Sequence, residues 1–272
     1  MNEISGGERV LITGAGSGIG LCAAIEFAKV GCSLILIDIN KQSLIDAKKR
    51  LAEFGVEVET RVIDVSCRPE IDSFAWMLKD SGKQVDVLVN NAGIGYSGEL
   101  SKTPLSTWKR LLNVNLWGPL NLTYALLPHM MERGSGRIVN VSSGQAFFRM
   151  PTWGAYAISK LAVGAFSEIL HFELAQYGIS VTTVYPFMTN TTFYRGVAAD
   201  TWAAKLSMRL LPLYGDSPEA VAKMLFEATS KGKRVCRVSI FNHLGNIAQA
   251  IPFVPTIMGK TVAALMMKKD GS

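Results

Sequence analysis

Two residues that could exchange a proton stand four positions apart in the segment YAISK, which runs from Tyr156 to Lys160. On a helix this spacing places both side chains on one face. A nearby ammonium favours the charged phenolate, so it can lower the pKa of the tyrosine from about 10 toward neutrality. A phenol tuned in this way could act as a general acid and base at physiological pH. Because such pairs are also common on exposed helices, the prediction depends on what the rest of the chain places beside them.

A serine hydroxyl is predicted to join this pair. Ser143 lies 13 residues before Tyr156, at the end of a predicted strand. Its hydroxyl would meet the helix that carries Tyr156 and Lys160, and it could hydrogen-bond an oxygen of a substrate.

A glycine-rich segment, TGAGSGIG, follows the first predicted strand and opens the first predicted helix. Glycines in that position permit a tight turn and let the backbone approach a pyrophosphate, which the N–H groups of the helix start can bind. The strand–loop–helix context makes a dinucleotide site the better interpretation than an ordinary turn. The residues predicted to contact the dinucleotide here are Gly14, Ser17, Gly18, Ile19 and Gly20.

Asp38, at the end of the second predicted strand, bears on the choice of cofactor. A carboxylate there can accept hydrogen bonds from both adenosine ribose hydroxyls, and it would repel a 2′-phosphate. Its neighbour Ile39 and the loop residue Ser17 carry no positive charge. These features favour NAD(H) over NADP(H), although Asp38 could also be a simple turn residue.

The ends of the next two predicted strands add polar and small residues. Asp64 and Val65 end the third strand, where a short acceptor could hold the adenine amino group. The segment NNAG ends the fourth strand, at the edge where such sheets bind ligands. Asn90 is predicted to be structural, whereas the residues predicted to contact the cofactor are Asn91, Ala92 and Gly93.

Alternating strand and helix patterns position these residues. Short apolar runs at 9–13, 33–38, 56–62, 85–90, 136–142 and 179–186 read as strands, and helical patterns occupy 18–30, 41–54, 68–82, 104–131, 153–177 and 217–230. Regular alternation predicts an α/β fold with a doubly wound, Rossmann-type parallel sheet in the strand order 3-2-1-4-5-6. We predict a single domain over 1–272, with a substrate-loop insertion at 187–216 and an apolar C-terminal extension at 240–272.

Composition limits the classes of function. With 49% apolar and 18% charged residues in 272, the chain can bury a large core. The net charge of +6 is scattered, which argues against a nucleic-acid stripe. Four dispersed cysteines and an N-terminus without a signal-like pattern predict reduced thiols and a cytoplasmic location, with no metal site.

The apolar tail is interrupted by Pro252, Pro255 and Lys260, so it is not expected to span a membrane. A flap over an apolar pocket or a subunit contact is the first interpretation. A membrane-surface contact, with Lys268 and Lys269 among the lipid headgroups, is the alternative.

Taken together, the sequence resembles the short-chain dehydrogenase/reductase family in its compact single-domain branch. The resemblance covers residues about 9 to 192 and rests on TGAGSGIG, Asp64, NNAG, Asn115 in NVNLWG, Ser143 in NVSSG, and YAISK. It implies that Tyr156 exchanges the proton, that Lys160 lowers its pKa and binds the nicotinamide ribose, and that Ser143 holds the substrate carbonyl. It also implies that the backbone of Asn115 holds a water, and that helices 104–131 and 153–177 build a homodimer or homotetramer.

One segment departs from the family pattern. Where the family has Pro-Gly and a later threonine, this chain has PFMTNT from Pro186 to Thr191. Pro186, Thr189 and Thr191 still fall where the cofactor would be contacted, but Phe187 replaces the glycine and is expected to lean toward the substrate crevice.

The predicted activity is NAD(H)-dependent interconversion of a hydrophobic secondary alcohol and its ketone. The residues predicted to line the substrate pocket are apolar or neutral, which disfavours sugars and phosphorylated substrates: Gln145, Trp153, Phe187 and Met188. Two alternatives remain: an NADPH-dependent carbonyl or β-ketoacyl reductase, and a non-catalytic dinucleotide-binding scaffold.

Overall fold

A sheet of seven parallel strands forms the centre of the described part of the protein. The computed structural model describes residues 3–148, 150–191, 193, 194, 197, 209, 215–239, 242, 243, 245, 247, 253, 255–257 and 259–261. The strand order is β3-β2-β1-β4-β5-β6-β7, which confirms the predicted doubly wound arrangement. The strands are β1 (Arg9–Thr13), β2 (Ser33–Asp38), β3 (Val58–Val62), β4 (Val87–Asn90), β5 (Gly136–Val141), β6 (Ile179–Tyr185) and β7 (Val235–Arg237).

Strand β7 was not predicted from the sequence. It has only three residues, and it follows a stretch rich in lysine and arginine that reads as a solvated surface. It forms because it can pair with β6, with Thr183 opposite Val235 and Tyr185 opposite Arg237. Pairing with an existing strand can therefore override a weak local preference.

Helices cover both faces of the sheet. The described helices are α1 (Gly18–Lys29), α2 (Lys41–Leu51), α3 (Arg68–Asp80), α4 (Leu105–Leu112), α5 (Gly118–Arg133), α6 (Gln145–Phe148), α7 (Gly154–Leu174) and α8 (Pro218–Ser230). Two of them begin at side-chain caps: Asn40 accepts from the N–H of Ser43, and Ser217 accepts from the N–H of Ala220. Five of the six predicted helical segments match single helices with ends shifted by a few residues, the exception being 104–131, and α6 was not predicted.

Successive residues of the strands point to opposite faces, so each strand contributes to two apolar cores. Val10 and Ile12 of β1 pack in one cluster with α1, α2 and α8. Leu11 packs in the other cluster with α3, α5 and α7. Continuous apolar strands were predicted for this reason, and both faces of the central strands are buried.

One predicted helix, 104–131, is interrupted. A π-helical turn at Asn113–Trp117 joins α4 to α5. Turns of this kind are rare and are often found at functional sites. Asn115, which the resemblance marks as functional, is fully buried in this turn.

A buried polar network ties the central strands to the helices beside them. Asn90 donates to Asn140 Oδ1 at 2.8 Å and to Thr123 Oγ1 at 3.3 Å. Asn140 in turn donates to Ser167 Oγ at 2.9 Å, and Ser167 donates to the Val163 carbonyl. Asn90 is thus tied to β5 and α5, and Asn140 joins β5 to α7.

The predicted insertion at 187–216 and the extension at 240–272 fall largely outside the described residues. Within the described part of the chain, no helix is long and apolar enough to cross a membrane.

Asn140→Ala should lower the free energy of unfolding by about 2–4 kcal/mol, because it removes one of the buried hydrogen bonds of Asn90 and one of those of Ser167. Urea unfolding followed by circular dichroism measures this loss. Gln176→Ala, at an exposed side chain that donates to the Glu173 carbonyl, is the control and should change stability little. Equal stability of the two variants would show that the network does not stabilise the fold.

Candidate active site

A cavity of about 820 Å³ opens at the carboxyl edge of the sheet, where ligands of open α/β sheets bind. The sequence-predicted residues converge on it from both halves of the fold. Of the predicted cofactor and catalytic residues, those that line it are Gly14, Ser17, Gly18, Ile19, Asp38, Asp64, Val65, Asn91, Ala92, Gly93, Ser143, Tyr156, Lys160, Pro186, Thr189 and Thr191.

Close packing explains the glycines of the first loop. Gly14 has a φ of +61°, and a Cβ there would lie 2.9 Å from the Cα of Ala92. A Cβ at Gly20 would overlap the carbonyl oxygen of Gly14. Gly20 does not line the cavity, so its predicted role in cofactor contact changes to one of packing α1 against the loop.

Asn91 supports this loop from the end of β4. Its Nδ2 donates to the carbonyls of Thr13 at 2.9 Å and Gly14 at 3.2 Å, while Thr13 Oγ1 accepts from the N–H groups of Asn91 and Ala92. The side-chain amide of Asn91 is therefore bound to the backbone of the loop, and because Asn91 also lines the cavity, its predicted contact with the cofactor stays a prediction. Asn90, predicted to be structural, is buried in the polar network of the sheet.

Two carboxylates stand at strand ends along the cavity. Asp38 accepts from the N–H of Gly16 at 3.0 Å and of Asn40 at 2.9 Å. Asp64 accepts from the N–H and the hydroxyl of Ser66 at 2.9 and 2.7 Å. The side chain of Ile39, beside Asp38, is exposed and uncharged.

Several residues that line the cavity were not predicted from the sequence. Arg110, Asn113 and Val114 lie one turn apart on the helical segment that leads to Asn115. Their i, i+3, i+4 spacing places them on one helical face beside the NVN motif, and this pattern could have identified them from the sequence. Ile94 and Gly95, directly after NNAG, were also missed.

Three consecutive residues of β5 and its end fasten α7, the helix that carries Tyr156 and Lys160. Asn140 binds Ser167, the Val141 carbonyl accepts from Lys160 Nζ at 2.8 Å, and Ser142 Oγ donates to the Lys160 carbonyl at 2.7 Å. The two serines of NVSSG thus differ. Ser142 binds the helix backbone, whereas Ser143 lines the cavity and hydrogen-bonds Tyr156.

Burial has the largest effect on the pKa values of Tyr156 and Lys160. Both side chains are more than nine-tenths buried. Loss of hydration lowers the pKa of Lys160 to about 8. Burial likewise raises the pKa of Tyr156 to about 12, and the hydrogen bond with Ser143 offsets only part of that rise.

The expected lowering of the Tyr156 pKa by Lys160 is therefore not found. The structure gives the opposite direction, because the phenolate loses its hydration in this site. The ammonium of Lys160 is meanwhile bound to the Val141 carbonyl. Sequence spacing predicts that the two residues share a helix face, but it does not include the cost of burying a charge.

Asn115, predicted to be catalytic, is not among the described residues that line the cavity, but it is bonded to Ile94, which does line it. Its Oδ1 accepts from the Ile94 N–H at 2.8 Å, and its Nδ2 donates to the Ile94 carbonyl at 2.9 Å and to Ser159 Oγ at 3.0 Å. Ser159 donates to the Tyr156 carbonyl at 2.7 Å. The side chain thus links the β4 edge to α7, and the water-holding role of its backbone stays a prediction.

The predicted substrate residues separate into two groups. Met188 lines the cavity, with an unusual φ of +45° for a residue other than glycine. Gln145, Trp153 and Phe187 are not among the described lining residues. Trp153 packs edge-on against Tyr156, with ring centroids 5.8 Å apart.

Phe187 does not lean into the crevice as expected. Its ring packs 5.3 Å from that of Phe148 and over Gly144, where an added Cβ would lie 2.8 Å from it. The left-handed backbone conformation falls on the next residue, Met188. Phe193 and Tyr194 line the cavity on the substrate side.

The residues present fit a nicotinamide dinucleotide. The glycine loop provides a cradle that a Cβ would fill at Gly14, and Asp38 stands at the position for a ribose. Thr189, at the opposite half of the sheet, has a buried hydroxyl without a hydrogen-bond partner among the residues that the structure describes. Buried hydroxyls are normally satisfied, so a polar group of a ligand is the expected partner.

Because the pKa of Lys160 is lowered in the folded protein, the contribution of this residue to the free energy of unfolding depends on pH. Between about pH 8 and the usual lysine pKa near 10.5 the unfolded chain binds more protons than the folded one, so rising pH favours the folded state. Relative to a Lys160→Met variant, wild-type protein should therefore gain unfolding free energy from pH 8 to 10. Urea titrations at several pH values measure this difference.

Lys49→Met, at an exposed lysine of α2, provides the matched control and should show no such trend. If the wild-type and Lys160→Met curves ran parallel from pH 8 to 10, the ammonium would not be desolvated in the folded protein.

Comparisons with known proteins agree with this geometry. The sequence profile of the short chain dehydrogenase family matches residues 8–202. The chain is 32% identical to SadH of Mycobacterium tuberculosis over 268 residues, which cover 96% of this chain and 94% of that protein. It is also 39% identical to estradiol 17-beta-dehydrogenase 11 of Pongo abelii over 192 residues, which cover 70% of this chain and 64% of that protein.

Solved structures with bound dinucleotides are similar as well. A short chain dehydrogenase/reductase from Burkholderia phymatum in complex with NAD has a TM-score of 0.80, 25% identity, and covers 100% of this chain and 99% of its own. A gluconate 5-dehydrogenase from Burkholderia cenocepacia in complex with NADP and tartrate has a TM-score of 0.76 and 27% identity, and covers 87% and 95%. With the sheet order, the cavity and the profile match in agreement, the chain belongs to the short-chain dehydrogenase family of oxidoreductases.

Proposed function

We propose that the protein is an NAD(H)-dependent oxidoreductase that interconverts a hydrophobic secondary alcohol and its ketone. The observation that carries this proposal is the placement of Tyr156 and Lys160. Both are buried, one helical turn apart, in the same cavity as the glycine loop and Asp38. A proton-exchanging group thus stands at one end of a site whose other end fits a dinucleotide.

The dinucleotide would lie along the carboxyl edge of the sheet. The loop from Gly14 to Gly18 would hold its pyrophosphate, Asp38 the adenosine ribose, and Thr189 the nicotinamide amide. An oxidised nicotinamide held there would supply the hydride acceptor for the alcohol carbon and a positive charge near the phenol.

Residues of this chain would carry out the proton transfer. Ser143 would hydrogen-bond the substrate oxygen, and Tyr156 would take the hydroxyl proton during oxidation or return it during reduction. Because the pKa of Tyr156 is raised to about 12, the phenolate needed for oxidation becomes more abundant as pH rises. Lys160, held at the Val141 carbonyl, would bind the nicotinamide ribose.

Asp38 and Ile39 support NAD over NADP. A carboxylate at the end of β2 repels a 2′-phosphate, and the neighbouring side chain offers no charge to bind one. The similar structures include complexes with either dinucleotide. Membership of the family therefore does not imply a preference for NAD, and the proposed preference rests on Asp38 and Ile39.

Apolar and aromatic walls support a hydrophobic substrate. Ile94, Met188, Phe193 and Tyr194 line the cavity near the phenol. Among the described lining residues the cationic ones are Lys160 and Arg110, and Arg110 lies on the same helical segment as Asn113 and Val114. A phosphorylated or acidic substrate would find little charge to bind it.

Tyr156→Phe should abolish turnover while NAD binding stays within about threefold of wild type, because the variant loses the proton-transfer group but keeps the ring. A panel of apolar secondary alcohols, followed by the absorbance of NADH, measures turnover. Binding is measured by calorimetry. The wild-type oxidation rate should rise with pH from about 7 to 10.

Tyr177→Phe, at an exposed tyrosine after α7, is the matched control and should keep full activity. Near-normal turnover by Tyr156→Phe would remove that phenol from the mechanism. Faster turnover with NADPH than with NADH would favour the alternative reductase. If wild-type protein bound NAD but oxidised none of the alcohols in the panel, the result would favour the non-catalytic scaffold.

Exposed apolar residues on α7 support a homo-oligomer. On α7, the side chains of Ile158, Leu161, Ile169 and Phe172 are 41–65% exposed and lie on one helical face. Contiguous exposed apolar patches commonly mark interfaces, whereas single exposed residues do not. We propose that a second copy of the chain covers this face.

Ile169→Lys should shift the protein toward monomers, because it places a charge in the covered apolar face. Analytical ultracentrifugation at micromolar concentration measures the change. Trp76→Lys, at an exposed tryptophan of α3, makes the same kind of change on another helix and should leave the assembly intact. Unchanged sedimentation of Ile169→Lys would place the interface elsewhere.

A further inference from the structure

Asp38 makes contacts that ribose binding does not require. Its two carboxylate oxygens each accept a hydrogen bond from a backbone N–H. Oδ2 accepts from Gly16 in the glycine loop at 3.0 Å, and Oδ1 accepts from Asn40 at 2.9 Å. Hydrogen bonds to a charged acceptor are stronger than those between neutral groups.

These two bonds join separate elements. Gly16 belongs to the loop between β1 and α1. Asn40 is the N-cap of α2, where its side chain accepts from the N–H of Ser43 at 2.9 Å. One carboxylate therefore holds the glycine loop against the start of α2.

The packing at Gly16 shows how closely the loop is held. A Cβ at this position would lie 2.6 Å from the Cβ of Ser43 and 2.9 Å from Asp38 Oδ2. Gly16 is not one of the glycines with a positive φ. Glycine is needed here for close approach and not for a special backbone conformation.

We propose that Asp38 is a positioning residue that preorganises the dinucleotide loop, in addition to any contact with the ribose. This inference rests on the proposed NAD site and deepens it. Binding to a loop already held in place avoids the entropy cost of ordering it. Replacement of Asp38 alone should therefore not convert the protein to NADP, because the loop that binds the pyrophosphate of either dinucleotide would be released.

The experiment compares Asp38→Ala, Asp38→Asn and Asp46→Ala. Asp46 is exposed on the same helix α2, where it accepts from Gln42, so its variant controls for the loss of one negative charge. Thermal unfolding is measured without dinucleotide, and the Kd values for NAD and NADP are measured by calorimetry.

Asp38→Ala should lower the melting temperature by about 4 °C relative to Asp46→Ala. It should raise the Kd for NAD by roughly tenfold or more, without bringing NADP to the wild-type affinity for NAD. Asp38→Asn keeps one acceptor oxygen, so it should retain one backbone bond and unfold at an intermediate temperature.

Gly16→Ala tests the same contact from the loop side. An alanine in an unstrained conformation usually stabilises slightly. Here its Cβ would push the loop away from Asp38 and Ser43, so both the melting temperature and the affinity for NAD should fall. Wild-type stability and affinity in this variant would contradict the proposal.

The proposal would also be overturned if Asp38→Ala melted within about 1 °C of Asp46→Ala, or if it bound NADP as tightly as wild type binds NAD. Failure of the proposed function looks different. A wild-type protein that binds neither dinucleotide would refute the NAD site, yet a lower melting temperature of Asp38→Ala would still support the loop contact.

Discussion

The attachment of helix α7 to strand β5 is the constraint on which the site depends. Buried polar contacts join them at successive residues, through Asn140, the Val141 carbonyl and Ser142. Each leaves an unsatisfied group in the interior if the helix shifts, and such groups are costly. The same attachment places Tyr156 opposite Ser143 and holds the Lys160 ammonium at the edge of the cavity.

Burial gives this site its electrostatic character. The pKa of Lys160 falls and that of Tyr156 rises, so loss of hydration favours the neutral form of both groups. The ammonium keeps one strong backbone acceptor, and the phenol keeps a serine partner. Any charge brought beside them meets little screening, which strengthens its effect on proton transfer.

The loop predicted to bind the cofactor contains glycines mainly because they allow close packing, and less because they allow a flexible backbone. Gly14, Gly16 and Gly20 are each packed against backbone or side-chain atoms that a Cβ would strike. Asn91 and Asp38 bind that loop from the ends of β4 and β2, the two strands that flank β1. The loop is thus held from both sides, which suits a site that must bind a pyrophosphate through backbone N–H groups.

The sequence alone determined the sheet, its order through six strands, and most of the residues that line the cavity. Continuous apolar strands, helical periodicity and glycine spacing are local signals, and parallel strands must bring their carboxyl ends to one edge. Only the tertiary structure decided what depends on distant neighbours. Strand β7 exists because β6 offers an edge, the side-chain amide of Asn91 binds the backbone of the glycine loop, and the ring of Phe187 packs against Phe148. The direction of the Tyr156 pKa likewise followed from burial, which no spacing of residues along the chain encodes.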